Sequence, residues 1–194
     1  MEPTRDAAWQ ILTEYTASDS LIKHALAVEA GMRHYARKFG AGEERWALTG
    51  LLHDFDYDRW SSLEDHPFRG AEILQEKEFP EDIIEAILGH ASHTGVPRET
   101  LMARALFAVD ELTGLITAVA LVRPSRSILD VKVSSVKKKL KDKAFARGVN
   151  RAEVRQGAEE LEVPLDEHIG NVIEAMREAA PALELDGRLA AGQD

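Results

Sequence analysis

Apolar residues at helical spacing run through most of this chain and restrict its fold more than any other feature. In residues 18–39 they recur at alternating steps of four and three, which places them on one face of an α-helix. Ser18 or Asp19 can cap the start of this helix, and Gly40 can end it. The apolar positions are Leu21, Ala25, Val28, Met32, Tyr35 and Phe39. This stretch therefore predicts one long amphipathic helix.

The same signal predicts further helices along the chain. We expect them over residues 43–54, 67–79 and 80–95, within residues 97–122, and around residues 133–140 and 169–176. A strict alternation of apolar and polar residues, typical of strands, occurs only in the short stretch "DVKVSS". One candidate strand cannot form a sheet. The predicted fold class is therefore all-α, in a single domain, as the length of 194 residues also favours.

Charge and cysteine content exclude several classes of function. The chain has 34 acidic and 24 basic residues, a net charge of −10, which disfavours nucleic acid and anionic membranes as partners. Cysteine is absent, so any metal must be held by nitrogen and oxygen ligands. The longest apolar run, residues 105–122, carries Asp110 and Glu111, which makes a membrane-spanning helix costly. No signal-peptide pattern begins the sequence, and we expect a cytoplasmic protein.

Histidines and aspartates lie at the edges of the predicted apolar faces. His24 lies beside the apolar face of the first long helix, and His53 and Asp54 end a leucine-rich helix in "LLHDFDYD". Asp110 lies inside the most apolar helix, three residues before Thr113. A buried carboxylate is costly without a cation, so the sequence predicts an arginine or a metal ion near Asp110. Together these side chains would suit a divalent metal with coordination positions left for water and substrate.

The order His24, His53-Asp54, Asp110 resembles the H…HD…D signature of the HD-domain superfamily of metal-dependent phosphohydrolases. The leucine-rich "LTGLLHD" and the later "ALFAVDELTG" match together with the spacings, and the resemblance covers roughly residues 20–125. It implies an all-helical domain over residues 1–185, with a core at about 20–125 and a C-terminal helical extension over 126–185. Residues 186–194 would then form a flexible tail. It also implies a divalent metal held by His24, His53, Asp54 and Asp110.

Other histidines are similar to those that hold a second ion in some members of the family. His66 lies in "HPFRGAEIL" and His90 in "AILGHASH", but Ala91 stands where dinuclear members often have another histidine. His93 lies three residues after His90, on the same helix face, and could replace the histidine that is missing at position 91. We assign His66, His90 and His93 to a second metal or to phosphate contact. The expectation is one ion, with two as the alternative, and the resemblance does not choose between Mn, Mg, Fe, Co, Ni and Zn.

Two aspartates and two basic residues are the expected catalytic and substrate-binding groups. Asp54 is both a metal ligand and a catalytic residue. Many members of the family have Ile-Gly after the HD pair, where this chain has Phe-Asp. The segment is also similar to the HDxxED motif of alarmone hydrolases, in which Asp58 takes the place of the last aspartate and would orient water or move a proton. Lys23 and Arg69 are the candidates for contact with substrate phosphate.

The remaining basic residues and histidines can be explained by exposed helix surfaces. Residues 132–151 carry eight basic side chains against one acidic residue, Asp142. This basic segment is either a solvated helix face or a surface that draws in a phosphorylated substrate. His34 and His168 are interpreted as surface residues of amphipathic helices.

The predicted function is metal-dependent hydrolysis of a phosphorylated small molecule, a nucleotide or a phosphomonoester. Two alternatives remain: a di-iron oxygenase of the same superfamily, which requires a complete second metal site, and a non-catalytic metal-binding or ligand-binding module. Whether the protein forms a homo-oligomer stays open.

Overall fold

A computed structural model of the protein describes residues 3–191, which fold mainly into α-helices. The helices are α1 Arg5–Tyr15, α2 Asp19–Phe39, α3 Glu43–Leu52, α4 Phe68–Glu76, α5 Glu81–His90, α6 Leu101–Leu121, α7 Val133–Lys141, α8 Arg151–Glu160, α9 Leu165–Glu178 and α10 Arg188–Ala191. Short 3₁₀ turns occur at Ser92–Thr94 and Ile128–Asp130. Residues 3–191 contain no β-strand, and an isolated bridge joins Ser127 and Asp186. The all-α prediction is confirmed.

Helix α6 forms the centre of the core. It contacts α2, α5, α7, α8 and α9, and 13 of its 21 residues are buried. Glycines allow two of these helices to approach it closely. A Cβ atom at Gly31 of α2 would lie 2.4 Å from Val109, and one at Gly157 of α8 would lie 2.5 Å from Ala108. The close crossing of α2 and α6 brings residues far apart in sequence into contact.

Most helix predictions agree with the structure, with differences at the ends. Helix α2 ends at Gly40 in the left-handed conformation, as its sequence predicts. The helix predicted over residues 67–79 is shorter, because the Phe79 N–H donates to the Leu74 carbonyl and closes α4 after Glu76. The helix predicted to end by Gly95 ends at His90, before the 3₁₀ turn Ser92–Thr94. Helices α1 and α8 were not predicted individually.

The assignment of His168 to the surface is wrong. His168 is fully buried in α9, where its Nε2 donates to the Ala108 carbonyl over 2.8 Å and its Nδ1 accepts from the Tyr35 hydroxyl over 2.5 Å. It therefore connects α9 with both α2 and α6. Burial lowers the pKa of His168 to about 4, so the imidazole is neutral at pH 7.

Two predictions concern the chain as a whole. Within residues 3–191, no helix is both long enough and apolar enough to span a lipid bilayer. The predicted tail, residues 186–194, includes α10 at Arg188–Ala191, whereas residues 192–194 lie outside the described part of the chain.

Candidate metal centre

Three helices bring four predicted ligands into one cluster. His24 comes from α2, His53 and Asp54 follow the end of α3, and Asp110 comes from α6. His24 Nε2 lies 2.9 Å from Asp110 Oδ1 and 3.2 Å from His53 Nε2. His53 Nε2 lies 3.4 Å from both Asp110 Oδ1 and Asp54 Oδ2. The crossing of α2 and α6 thus brings together His24 and Asp110, which lie 86 residues apart in the sequence.

Hydrogen bonds on the far side of each ring orient His24 and His53. His53 Nδ1 donates to the Gly50 carbonyl over 2.9 Å. His24 Nδ1 lies 3.4 Å from the Thr113 hydroxyl, which itself donates to the Asp110 carbonyl. When both Nδ1 atoms carry the proton, both Nε2 atoms are unprotonated and cannot share a hydrogen bond. Two such nitrogens 3.2 Å apart repel each other unless a cation lies between them, which fits a metal ion.

Asp54 also faces a second pair of histidines. Its Oδ1 lies 3.3 Å from His66 Nε2 and 3.2 Å from His90 Nε2. This oxygen is buried and has no hydrogen-bond partner in the part of the chain described. A buried carboxylate oxygen without a partner is costly unless a cation satisfies it. His24, His53 and Asp54 could hold one metal ion, and Asp54, His66 and His90 could hold another.

The second pair of histidines is oriented in the same way as the first. His90 Nδ1 donates to the Ile87 carbonyl over 2.5 Å, and His66 Nδ1 donates to Asp56 Oδ1 over 2.8 Å. The other Asp56 oxygen accepts the N–H of Gly70 over 2.8 Å. Asp56 is fully buried. The sequence indicated only a departure from the family pattern at Asp56, since its partner His66 lies beyond an intervening loop.

The electrostatics of the cluster favour positive charge. Burial disfavours protonated His66, but the carboxylates of Asp54 and Asp56 outweigh it and raise the pKa of His66 to about 9. The pKa of His53 is raised despite its burial, because Asp54 and Asp110 lie beside it. Against the opposing effect of burial, His53, His66 and His90 lower the pKa of Asp54, and His24 and His53 lower the pKa of Asp110. Paired carboxylates held among imidazoles are a suitable donor set for a divalent cation.

An open cavity of about 590 Å³ gives access to the cluster. It is lined by His24, Asp54, His66, His90 and Asp110 and also by Leu21, Tyr57, Ala91, Ser92, His93, Glu111, Gly114 and Glu153. Among these described lining residues, none is Lys or Arg. No sequence pattern assigned Glu111 or Glu153 to the site, although Glu111 directly follows Asp110. Burial, with the adjacent Asp110 charge, raises the pKa of Glu111 to about 7.

The structure places His93 and Asp58 differently from the proposed ligands. His93 lines the cavity, but its Nε2 donates to the His66 carbonyl over 2.9 Å. Asp58 is exposed, and its Oδ2 accepts the N–H groups of Ala17 and Ser18 over 2.8 and 2.9 Å. Asp58 thus fixes the segment that leads into α2 and is not among the residues that line the cavity.

The two predicted substrate-binding cations form ion pairs outside this cavity. Lys23 Nζ lies 2.5 Å from both Asp19 and Glu184. Arg69 is exposed and pairs with Asp65 and Glu72. No residue of the basic segment 132–151 lines the cavity, and Lys137 in it pairs with Asp166. Contact of Lys23 or Arg69 with a substrate stays a prediction.

Comparison with known proteins identifies a family. The family model of the HD domain matches residues 21–115, a segment that contains all six clustered histidines and aspartates. No solved structure matches the chain.

Proposed function

The chain belongs to the HD-domain superfamily, and from that premise we propose that it is a metal-dependent phosphohydrolase that acts on a phosphorylated small molecule. The observation that supports this most is the position of Asp54. One of its oxygens faces His53 and the other faces His66 and His90. A carboxylate so placed can bridge two metal ions, which is a common arrangement in enzymes that cleave phosphate esters.

The donor set fits divalent cations. Each histidine of the cluster has its Nδ1 engaged by a protein acceptor, so its Nε2 is free to bind a metal. Bound divalent ions would lower the pKa of water and offset negative charge on phosphoryl oxygens. We propose two ions per chain, one at His24, His53, Asp54 and Asp110 and one at Asp54, His66 and His90.

The chain's own residues position the reactants. Asp56 holds the His66 ring through Nδ1, and the Gly50 and Ile87 carbonyls hold His53 and His90. Because the rings lie on helix ends packed in the core, the ligand geometry is fixed before substrate arrives. The open cavity lets a phosphoryl group reach the cluster from solvent.

The substitution Asp54→Asn tests the proposal. We expect loss of metal-dependent hydrolysis of nucleotides and phosphomonoesters, and loss of both metal ions, since an amide is a poor bridging ligand. The matched control is Asp166→Asn, the same change at an exposed residue on α9. Assays should supply Mn²⁺, Mg²⁺, Fe²⁺, Co²⁺, Ni²⁺ and Zn²⁺ separately. Full activity of the Asp54 variant would refute the proposal, and bound metal without turnover of any substrate would support the non-catalytic alternative.

The second ligand group also supports an alternative, a di-iron oxygenase. This function needs two irons per chain, and the structure offers a second group, Asp54, His66 and His90, despite Ala91. Metal analysis of anaerobically purified protein distinguishes the two candidates. Two irons per chain with oxygen consumption would favour the oxygenase, whereas fewer than two irons would exclude it.

A further inference from the structure

A groove adjoins the metal cavity on the side of α2. It has a volume of about 350 Å³ and shares His24 and Gly114 with the cavity. Its apolar walls are Leu121 of α6 and Leu183 and Leu185 from the segment after α9. That segment lies outside residues 21–115, the part that matches the family model. The groove is thus built partly by a C-terminal segment that the family match does not cover.

The groove is unsuited to an additional anionic group. Lys23 is the only Lys or Arg among its described lining residues, and its ammonium lies 2.5 Å from both the Asp19 and the Glu184 carboxylates. Two carboxylates around one ammonium give this part of the groove a net negative charge. The leucines and Thr117 provide the remaining surface. The groove therefore fits an uncharged and largely apolar group.

Gly114 lies at the junction of cavity and groove, inside helix α6. Glycine in a helix interior is less stable than alanine, so packing usually explains it. Gly31 and Gly157 have such an explanation, because a Cβ there would lie within 2.5 Å of α6 atoms. At Gly114 an added Cβ would meet no atom within 4 Å. Neither packing nor backbone conformation requires this glycine, but any larger side chain would project into the passage between the two spaces.

The charges that line the metal cavity suit one phosphoryl group. Asp54, Asp110, Glu111 and Glu153 line it, with no Lys or Arg among its described lining residues. Bound metal ions would offset the charge of one phosphate. A chain of phosphates would place further negative charge beside Glu111 and Glu153 without a cation to balance it.

From these observations we infer that the groove is a substrate subsite, and that the substrate is a phosphomonoester whose uncharged, largely apolar organic group passes Gly114 into the groove. The inference rests on the proposed function, because it places the phosphoryl group at the metal ligands. It selects monoesters of apolar or aromatic alcohols over di- and triphosphates.

Binding of two phosphonates that cannot be hydrolysed tests the subsite. Calorimetry on the full chain loaded with Mn²⁺ would compare 1-naphthylmethylphosphonate with methylphosphonate. Burial of the naphthyl ring predicts binding tighter by roughly 10- to 100-fold. Gly114→Leu should abolish this preference, whereas Gly114→Ala, which adds one methyl group in open space, should keep it. Thr117→Phe fills the groove beyond the metal cavity and should also abolish it, which guards against misfolding of the leucine variant.

The outcomes separate this inference from the proposed function. A naphthyl preference that both blocking variants leave intact, or no preference in the unmodified protein, overturns the subsite. The inference is also overturned if neither phosphonate binds. If the preference is present and lost in both variants while no metal-dependent turnover of 1-naphthyl phosphate occurs, the subsite holds and the phosphohydrolase proposal fails.

Discussion

His168 should make the stability of this protein depend on pH in a way that a single substitution removes. Its imidazole is buried between Tyr35 and the Ala108 carbonyl, and burial lowers its pKa to about 4. In the unfolded chain the pKa returns to about 6.5. Below pH 6.5 the unfolded state therefore binds a proton that the folded state does not, and stability falls as the pH falls.

The size of the effect follows from the two pKa values. Relative to pH values well above 6.5, where the imidazole is neutral in both states, His168 should reduce the free energy of unfolding by about 1.4 kcal/mol at pH 5.5 and about 2.6 kcal/mol at pH 4.5. The loss should level off below about pH 3 at about 3.4 kcal/mol, where His168 is protonated in both states. Above about pH 7.5 the residue should contribute almost no pH dependence.

The substitution His168→Gln isolates this contribution, since glutamine can still hydrogen-bond but does not titrate. Urea unfolding followed by circular dichroism at pH 7.5, 6.5, 5.5 and 4.5 would measure both proteins after metal removal. The difference between them cancels the titration of the other histidines. We expect the free energy of unfolding of the variant to rise relative to that of the unmodified protein as the pH falls, by the amounts given above. A difference that stays constant from pH 7.5 to 4.5 would refute the buried, neutral state of His168.

Two further predictions concern aspartates near the metal ligands. Asp56→Ala removes the acceptor of the His66 Nδ1 proton, and we expect weaker binding of the ion at His66 and His90 by about 10- to 100-fold, measured by calorimetry; unchanged affinity would contradict the supporting role of Asp56. Asp58→Asn removes charge from the acceptor of the Ala17 and Ser18 N–H groups, and we expect about 1 kcal/mol lower stability in urea with hydrolysis retained. A loss of hydrolysis of about 100-fold or more with a stable fold would instead assign Asp58 the proton-transfer role that the sequence suggested.

Local sequence signals were sufficient for most of the helices and singled out two of the proposed metal ligands. The spacing of apolar residues and Gly40 define α2, because periodicity and capping depend on neighbours along the chain. His24 and Asp110 could be singled out for a related reason. Each is a polar residue on or beside an apolar helix face, and a buried polar group is costly unless it has a hydrogen-bonding or charged partner.

Residues whose roles depend on distant partners could not be assigned in this way. Asp56 and Asp58 lie two residues apart in one polar segment. Asp58 accepts a hydrogen bond from the Ala17 N–H just before α2, whereas Asp56 accepts one from His66, a proposed metal ligand. Nothing in the residue types distinguishes these outcomes. The chain direction after α3 and the packing of the 59–67 loop decide them.

The sequence by itself determined the helical class and the long helices, because these follow from periodicity, and its resemblance to the HD-domain signature predicted the first four ligands. Only the tertiary structure decided that Asp54 faces four histidines at once, that Lys23 pairs with Glu184, and that His168 is buried. Apart from the neighbouring His53, these contacts join residues that lie in different elements of the chain. They depend on how closely the helices cross, which is set at positions such as Gly31 by the space between two packed surfaces.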